Sequence, residues 1–334
     1  MVKQRQSNIE LCRLLSILLV MLVHTTKQSL GNDMNYGAFL LEGFSIIGVN
    51  VFVLITGYFS TTPKKTSLLN LAFICFFWMI IKVTIRYSCG EQVGAKDAFF
   101  ITSSNWFIAS YIGLLFIAPI LNKFCNTVSN RTLIGGVIAL LCIEVWFDLL
   151  PPHPKVLLGS QRGYSVFSFM ILYLLARAIK IYGIPDTFKK KSLSIYILCA
   201  IVLGSLAYMC KLLGYNWLTY LVFAYSNPLV ILSSIAFLMT FERIQLHSNI
   251  INYIAKSTLA VLLGHTAIFF LYTKQFKYLY DNYSGLQIVG YWALAIVIVF
   301  CASIVIDQLR LLLYNPIEKL IKQKIKNNEI LPTE

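Results

Sequence analysis

Apolar residues run along this chain in long blocks separated by short polar breaks. Ten blocks approach the roughly 20 residues that carry an α-helix across the hydrocarbon core of a bilayer. They cover 8–27, 38–59, 67–87, 105–121, 132–149, 164–182, 192–212, 221–241, 257–272 and 286–313. NKFCNTVSNR parts the fourth from the fifth, and YGIPDTFKKKS, with Pro185 and three lysines, parts the sixth from the seventh. The pattern predicts an all-α polytopic membrane bundle of about ten transmembrane helices, one domain over residues 1–334 with a basic tail at 314–334. The opening MVKQRQSNIELCRLLSILLVMLV is followed by no small-residue cleavage site, so a retained first span is expected rather than a removed signal peptide.

Composition agrees: 58% of residues are hydrophobic and only 13% charged, with a mean hydropathy of +0.72. A disordered chain would show the reverse. The eight cysteines are scattered singly, without a C-x-x-C pair or a zinc-like histidine spacing, and read as small hydrophobes. The formal charge of +14 admits nucleic acid, acidic lipid or topology as causes, and its distribution decides among them. With the N-terminus inside, nine basic residues fall outside (Lys27, Lys82, Arg86, Lys96, Lys155, Arg162, Lys211, Lys274, Lys277) and nineteen inside, among them Lys64, Lys65, Lys189–Lys191 and Lys319. Positive charge accumulates on the cytoplasmic side of membrane proteins, so both termini are expected there, against anionic lipid, and nucleic acid is not expected as a partner. NPIEKLIKQKIKNNE reads as a basic amphipathic end on the membrane surface.

Ionisable groups at membrane depth are costly and mark functional sites. On the first span, Arg13 and His24 are eleven residues apart, three helical turns plus about 20°, so they share one face roughly 16 Å apart. Arg13 can instead snorkel or pair with Glu10, with His24 at the outer interface.

The stretch R-LLSILLVMLV-H, with the preceding SNIELCR, resembles the membrane-bound acyltransferase 3 family, which O-acylates cell-surface carbohydrates and carries an Arg or Lys, ten residues and a His on its first span. GVNVFVLITGYF (Gly48 to Phe59) is similar to the family's second span, and NWFIASYIGLLFIAPILN, FMILYLLARAIK and STLAVLLGHT to later ones. The resemblance covers essentially the whole chain. It implies transfer of an acyl group, usually acetyl, from cytoplasmic acyl-CoA to a sugar hydroxyl. No resident cofactor or metal is expected; acyl-CoA is the co-substrate, and a surface polysaccharide or lipid-linked sugar the acceptor, at the plasma or inner membrane. Some relatives carry a fused extracytoplasmic esterase-like domain, for which the residues after the last span leave no room. A separate extracytoplasmic transferase is the expected alternative to direct transfer.

A sugar hydroxyl is a poor nucleophile near neutral pH, so a base titrating there helps. His24 is that candidate, as general base or transient acyl carrier. Arg13 would bind the anionic CoA side. Glu42, entering the second span at the depth of His24, is the candidate to orient the imidazole, or else an interfacial outer-loop carboxylate. Lys64, Lys65 and Arg177 are candidates for the CoA nucleotide, or topology determinants. For the sugar, Trp106, Tyr111 and Trp146 offer stacking faces, or else are membrane anchors. Glu144 and Asp148 form an i,i+4 carboxylate pair that Arg162 could bridge. His265, mid-span, is a substrate contact or catalytic group, or else a buried, hydrogen-bonded structural histidine. A transporter or flippase of lipid-linked saccharides would show a similar span count, though clear repeats and paired Gly/Pro-broken spans are not evident.

Overall fold

The structure, a computed structural model, describes residues 5–94, 106–149 and 161–330. Lys3, Lys96, Lys155, Asn105 and residues 331–334 of the tail lie outside the described residues. Every regular element among the described residues is helical.

The first helix, α1 (Ser7–Leu30), is the hub. It touches α2 (Tyr36–Ser45), α3 (Gly48–Tyr58), α10 (Pro228–Glu242), α11 (Asn249–Ile254), α12 (Thr258–Ala267), α13 (Phe269–Asn282) and α14 (Gly285–Ile330). Its sequence suits that position, being apolar on almost every face with Cys12, Ile17 and Met21 buried. Where hydroxyls interrupt, they bond to their own helix: Ser16 donates to Cys12 O, and Thr25 and Thr26 to Leu22 O. That satisfies polar groups where no water can.

The second apolar block breaks into α2 and α3 at Ile46 and Ile47, and its glycines set how closely three neighbours approach. A Cβ at Gly43 would stand 2.3 Å from the Ala200 carbonyl oxygen on α8 (Asp186–Leu212). At Gly48 it would stand 2.6 Å from Ser16 O, and at Gly57 2.6 Å from Tyr173 O on α7 (Val166–Tyr182). The Ala200-x-x-x-Gly204 stripe answers Gly43, with a Gly204 Cβ 2.8 Å from Leu40 Cα. Small residues at such crossings let backbones touch, the usual source of cohesion between helices in lipid.

Around this centre lie α4 (Lys65–Ser88), α5 (Trp106–Thr127) and α6 (Asn130–Leu149), with α5 and α6 on α7, and α4 and α14 on α12. Their outer faces expose Phe76, Ile120, Ile138 and Val297, as helices facing lipid do.

A helix stands at each of the ten predicted blocks, and among the described residues seven candidate spans are long and apolar enough to cross a membrane. These are Ser7–Thr26, Tyr36–Tyr58, Lys65–Ser88, Trp106–Thr127, Asn130–Leu149, Asp186–Leu212 and Gly285–Gln323. At 164–182, 221–241 and 257–272 the helices are shorter, and two of these blocks are interrupted. The short α9 (Asn216–Val222) is parted from α10 by a turn in which Asn227 accepts from Leu229 N while Pro228 starts the new helix. Likewise α12 ends at Ala267, and Ile268 separates it from α13. At the other end, the boundary expected at 313/314 is absent, since α14 runs on to Ile330 through Pro316. Good helix formers and a 2.7 Å Glu318–Lys322 pair at i,i+4 carry it past the proline.

Candidate functional site

Two histidines, 241 residues apart in sequence, meet inside the bundle. His24 projects from α1, and His265 from the last turn of α12, where it is fully buried. His24 Nδ1 lies 2.9 Å from His265 Nε2, and the rings overlap with centroids 5.1 Å apart and planes 30° apart. His265 Nδ1 lies 2.9 Å from Val261 O, one turn back on α12. The chain of bonds assigns the protons. A carbonyl only accepts, so His265 Nδ1 carries hydrogen; in the neutral ring Nε2 then accepts, and His24 Nδ1 donates to it. The lone pair of neutral His24 is thereby placed on Nε2.

Packing fixes α12 for this purpose. Gly264, next to His265, brings α12 against α14 and α4: a Cβ there would stand 2.3 Å from Ser303 Oγ and 2.9 Å from a Trp78 ring carbon. The break at Ile268 ends α12 just past the histidine.

Arg13 lies on the same face of α1, nearer its start, and donates to Glu10 Oε2 at 2.7 Å; Arg5 stands 3.7 Å from Glu10 Oε1. The pairing with Glu10 foreseen as an alternative is thus made, in a first turn where a carboxylate also favours the helix dipole.

His265 is a ring partner of His24, a position for which the sequence reading offered Glu42. Glu42 is buried on α2 at a small cavity of about 80 Å³ that Lys211, Thr219 and Phe223 also line. Lys64 and Lys65 are exposed at the start of α4. Arg177 is 7% exposed and holds the turn after α3 to the end of α5, donating to Ser60 Oγ and, at 3.0 Å, to Asn126 Oδ1. Trp106 packs with Tyr164 and Tyr225 at centroid distances of 4.4 and 5.8 Å, and Tyr111 shares a 3.3 Å hydrogen bond with Thr56. Glu144 is buried against Ser168, whereas Trp146 is exposed. Arg162 is exposed in a left-handed turn, its carbonyl accepting from Tyr225 N at 3.1 Å.

Sequence reasoning missed the histidine pair, although a signal was present. Of the four histidines only His24 and His265 fall inside apolar blocks, and an imidazole at depth needs a polar partner. The structure also buries Asp307 and Arg310 as an ion pair on α14.

The family model described as Acyltransferase domain (Acyl_transf_3) matches residues 6–307, from the first turn of α1 to deep in α14. The chain belongs to this family. No curated protein and no solved structure matches it. Membership makes it a membrane acyltransferase domain, and both histidines and Arg13 lie within the matched residues.

Proposed function

We propose that the protein is an O-acyltransferase of the cell membrane that moves an acyl group, acetyl in the first instance, from cytoplasmic acyl-CoA to a hydroxyl of a surface or lipid-linked saccharide. The observation that carries this reading is the chain His24 Nδ1–His265 Nε2, His265 Nδ1–Val261 O. A base has to present a lone pair to the acceptor hydroxyl, and the bond chain puts that lone pair on His24 Nε2.

As the hydroxyl oxygen attacks the thioester carbonyl, Nε2 takes its proton. The tetrahedral intermediate then collapses, the C–S bond breaks, and the imidazolium returns the proton to the leaving thiolate. The C–O bond of the new ester replaces the C–S bond, and His24 ends neutral. During the step the imidazolium is steadied by its bond to His265, as a carboxylate steadies the histidine of a hydrolytic triad. Arg13, on the same face nearer the start of α1, serves the anionic donor. The aromatic cluster of Trp106, Tyr164 and Tyr225 serves the sugar, with a separate extracytoplasmic transferase as the other destination. About ten crossings with both termini in the cytoplasm agree with nineteen basic residues on one side against nine on the other.

The test is label transfer from radiolabelled acetyl-CoA by the purified full chain in nanodiscs, together with mass spectrometry of surface polysaccharide from cells with and without the gene. His24→Ala is expected to abolish both transfer and the acyl mass difference while inserting normally. Retained transfer in that variant would overturn the assignment.

A further inference from the structure

A cavity of about 650 Å³ opens at the end of the bundle that holds Arg5 and the first turn of α4. Arg5, Lys256 and Arg310 line it, with Asn70, Tyr253 and Tyr314. The one carboxylate in the lining is Glu318, whose Oε1 is 2.7 Å from Lys322; of the three cations, Arg5 also stands 3.7 Å from Glu10 and Arg310 is paired with Asp307. Arg310 is the deepest cation, at 1% exposure. Its Nε and one N–H of Nη2 bond Asp307 at 2.5 and 3.1 Å, and one N–H of Nη1 bonds Asn70 Oδ1 at 2.8 Å. A guanidinium has five N–H donors, so two remain for a ligand, on a group locked in place by the first three. Fixed guanidinium donors and a lysine suit phosphate oxygens. Tyr253, half exposed and tied to Gln308 Oε1 through its hydroxyl, offers a ring face beside Lys256 Nζ, which lies 5.6 Å from the centroid.

The position fits a long donor. Ser303, level with Gly264 and so with the histidine pair, is seven residues before Arg310 on α14, roughly 10 Å along the helix. Lys256 is nine residues before His265, a comparable gap. A ligand with phosphates at Arg310 and Lys256 would need a narrow arm of that reach to present a reacting group at His24, and pantetheine is such an arm. The neighbouring cavity of about 320 Å³, which shares Arg5, fits less well. It has about half the volume, and the Glu242 carboxylate lines it beside Lys180.

The geometry points to this cavity as the seat of the 3′-phosphoadenosine diphosphate end of acyl-CoA, with Arg5, Lys256 and Arg310 on the phosphates and Tyr253 against the adenine. The inference rests on acyl-CoA being the donor. It relocates the nucleotide from Lys64, Lys65 and Arg177, none of which lines this cavity.

The experiment measures binding of coenzyme A to the full chain in nanodiscs of phosphatidylcholine, with and without phosphatidylglycerol. It also measures kcat/KM for acetyl-CoA relative to S-acetylpantetheine, which lacks the nucleotide. Lys256→Gln and Tyr253→Leu are used, because changing Arg310 would strand a buried Asp307. Each is expected to raise the Kd for coenzyme A at least fivefold and to lower the acetyl-CoA to S-acetylpantetheine ratio at least fivefold. Unchanged Kd and ratio in both variants, with binding to the parent intact, would overturn the subsite and leave the donor standing. Failure of the parent chain to bind coenzyme A would overturn subsite and donor together. Variants that lose phosphatidylglycerol retention and keep coenzyme A affinity would give the cavity to a lipid headgroup, which also overturns the inference.

Discussion

Replacing His265 by phenylalanine separates orientation from chemistry in the histidine pair. The substitution keeps a flat ring against His24 and deletes both nitrogens, so His24 Nδ1 loses its acceptor at 2.9 Å and Val261 O loses a donor. The first loss acts on the reaction, because the bond to Nδ1 strengthens as His24 becomes imidazolium. A hydrogen bond to a charged group contributes about 1.5–3 kcal/mol. At 1.36 kcal/mol per tenfold in rate, His265→Phe should lower kcat roughly 10- to 150-fold. The phenyl ring is slightly larger in a fully buried site, and overpacking costs about 1–3 kcal/mol of stability, so thermal melting must show that the variant is folded at the assay temperature. The assay is the initial rate of coenzyme A thiol release with saturating acetyl-CoA and acceptor. His265→Gln, whose amide oxygen can accept from Nδ1, should recover part of the loss, which a purely structural role would not give. A folded His265→Phe protein within threefold of the parent rate would refute the positioning role. One as inactive as His24→Ala would refute it from the other side, placing His265 among the reacting groups.

Four further outcomes follow from the same geometry. Arg13→Ala should raise KM for acetyl-CoA at least fivefold with little change in kcat; a fall in kcat alone would remove Arg13 from donor binding. Gly264→Val places carbon where Ser303 Oγ and the Trp78 ring already are, so melting should report a loss of about 1–3 kcal/mol and activity should fall with it; an unperturbed variant would mean that α12 is not held by this contact. Gly43→Leu, against the Ala200 carbonyl, should impair assembly measured by steric trapping, with Ala200→Leu failing likewise. At the far end of α1, Lys277 holds the exposed Asp33 carboxyl below its ordinary range through a 2.5 Å bond. A depressed carboxylate stabilises the fold above its ordinary pKa and releases that support as pH falls through the lowered value. Proteolysis of the 31–35 turn should therefore begin at higher pH in Lys277→Gln than in the parent, and identical onsets would show the pair to be idle.

The blocks of apolar residues were legible because a bilayer imposes length and hydrophobicity on each crossing, and neither depends on what a helix touches. Interruptions were harder to see. The run through 221–241 contains Ser226, Asn227 and Pro228, a cap and helix-start signal that hydropathy averaging hides behind the surrounding Leu, Val and Phe. The break at Ile268, between α12 and α13, which both lie against α1, falls on a residue that is neither Gly nor Pro and so gives no turn signal. Within the candidate site, spacing alone aligned Arg13 with His24, because both ride one helix. The partner of His24 comes from a helix 241 residues away, and no periodicity reports such a meeting.

Setting a histidine against His24 has a physical reason in the surroundings. A carboxylate held against His24 would carry a standing charge at membrane depth, where charges cost several kcal/mol unless paired. Its benefit would be greatest in the transition state, when His24 is cationic, but the cost would persist in every state. Neutral His265 orients the ring and accepts the same hydrogen bond without that standing charge, and it passes its own N–H to Val261 O so that no buried donor is left over. The consequence is weaker stabilisation of the imidazolium than a carboxylate would give, which is why the expected loss in His265→Phe is tens of fold rather than the roughly 10⁴-fold seen when a triad aspartate is neutralised.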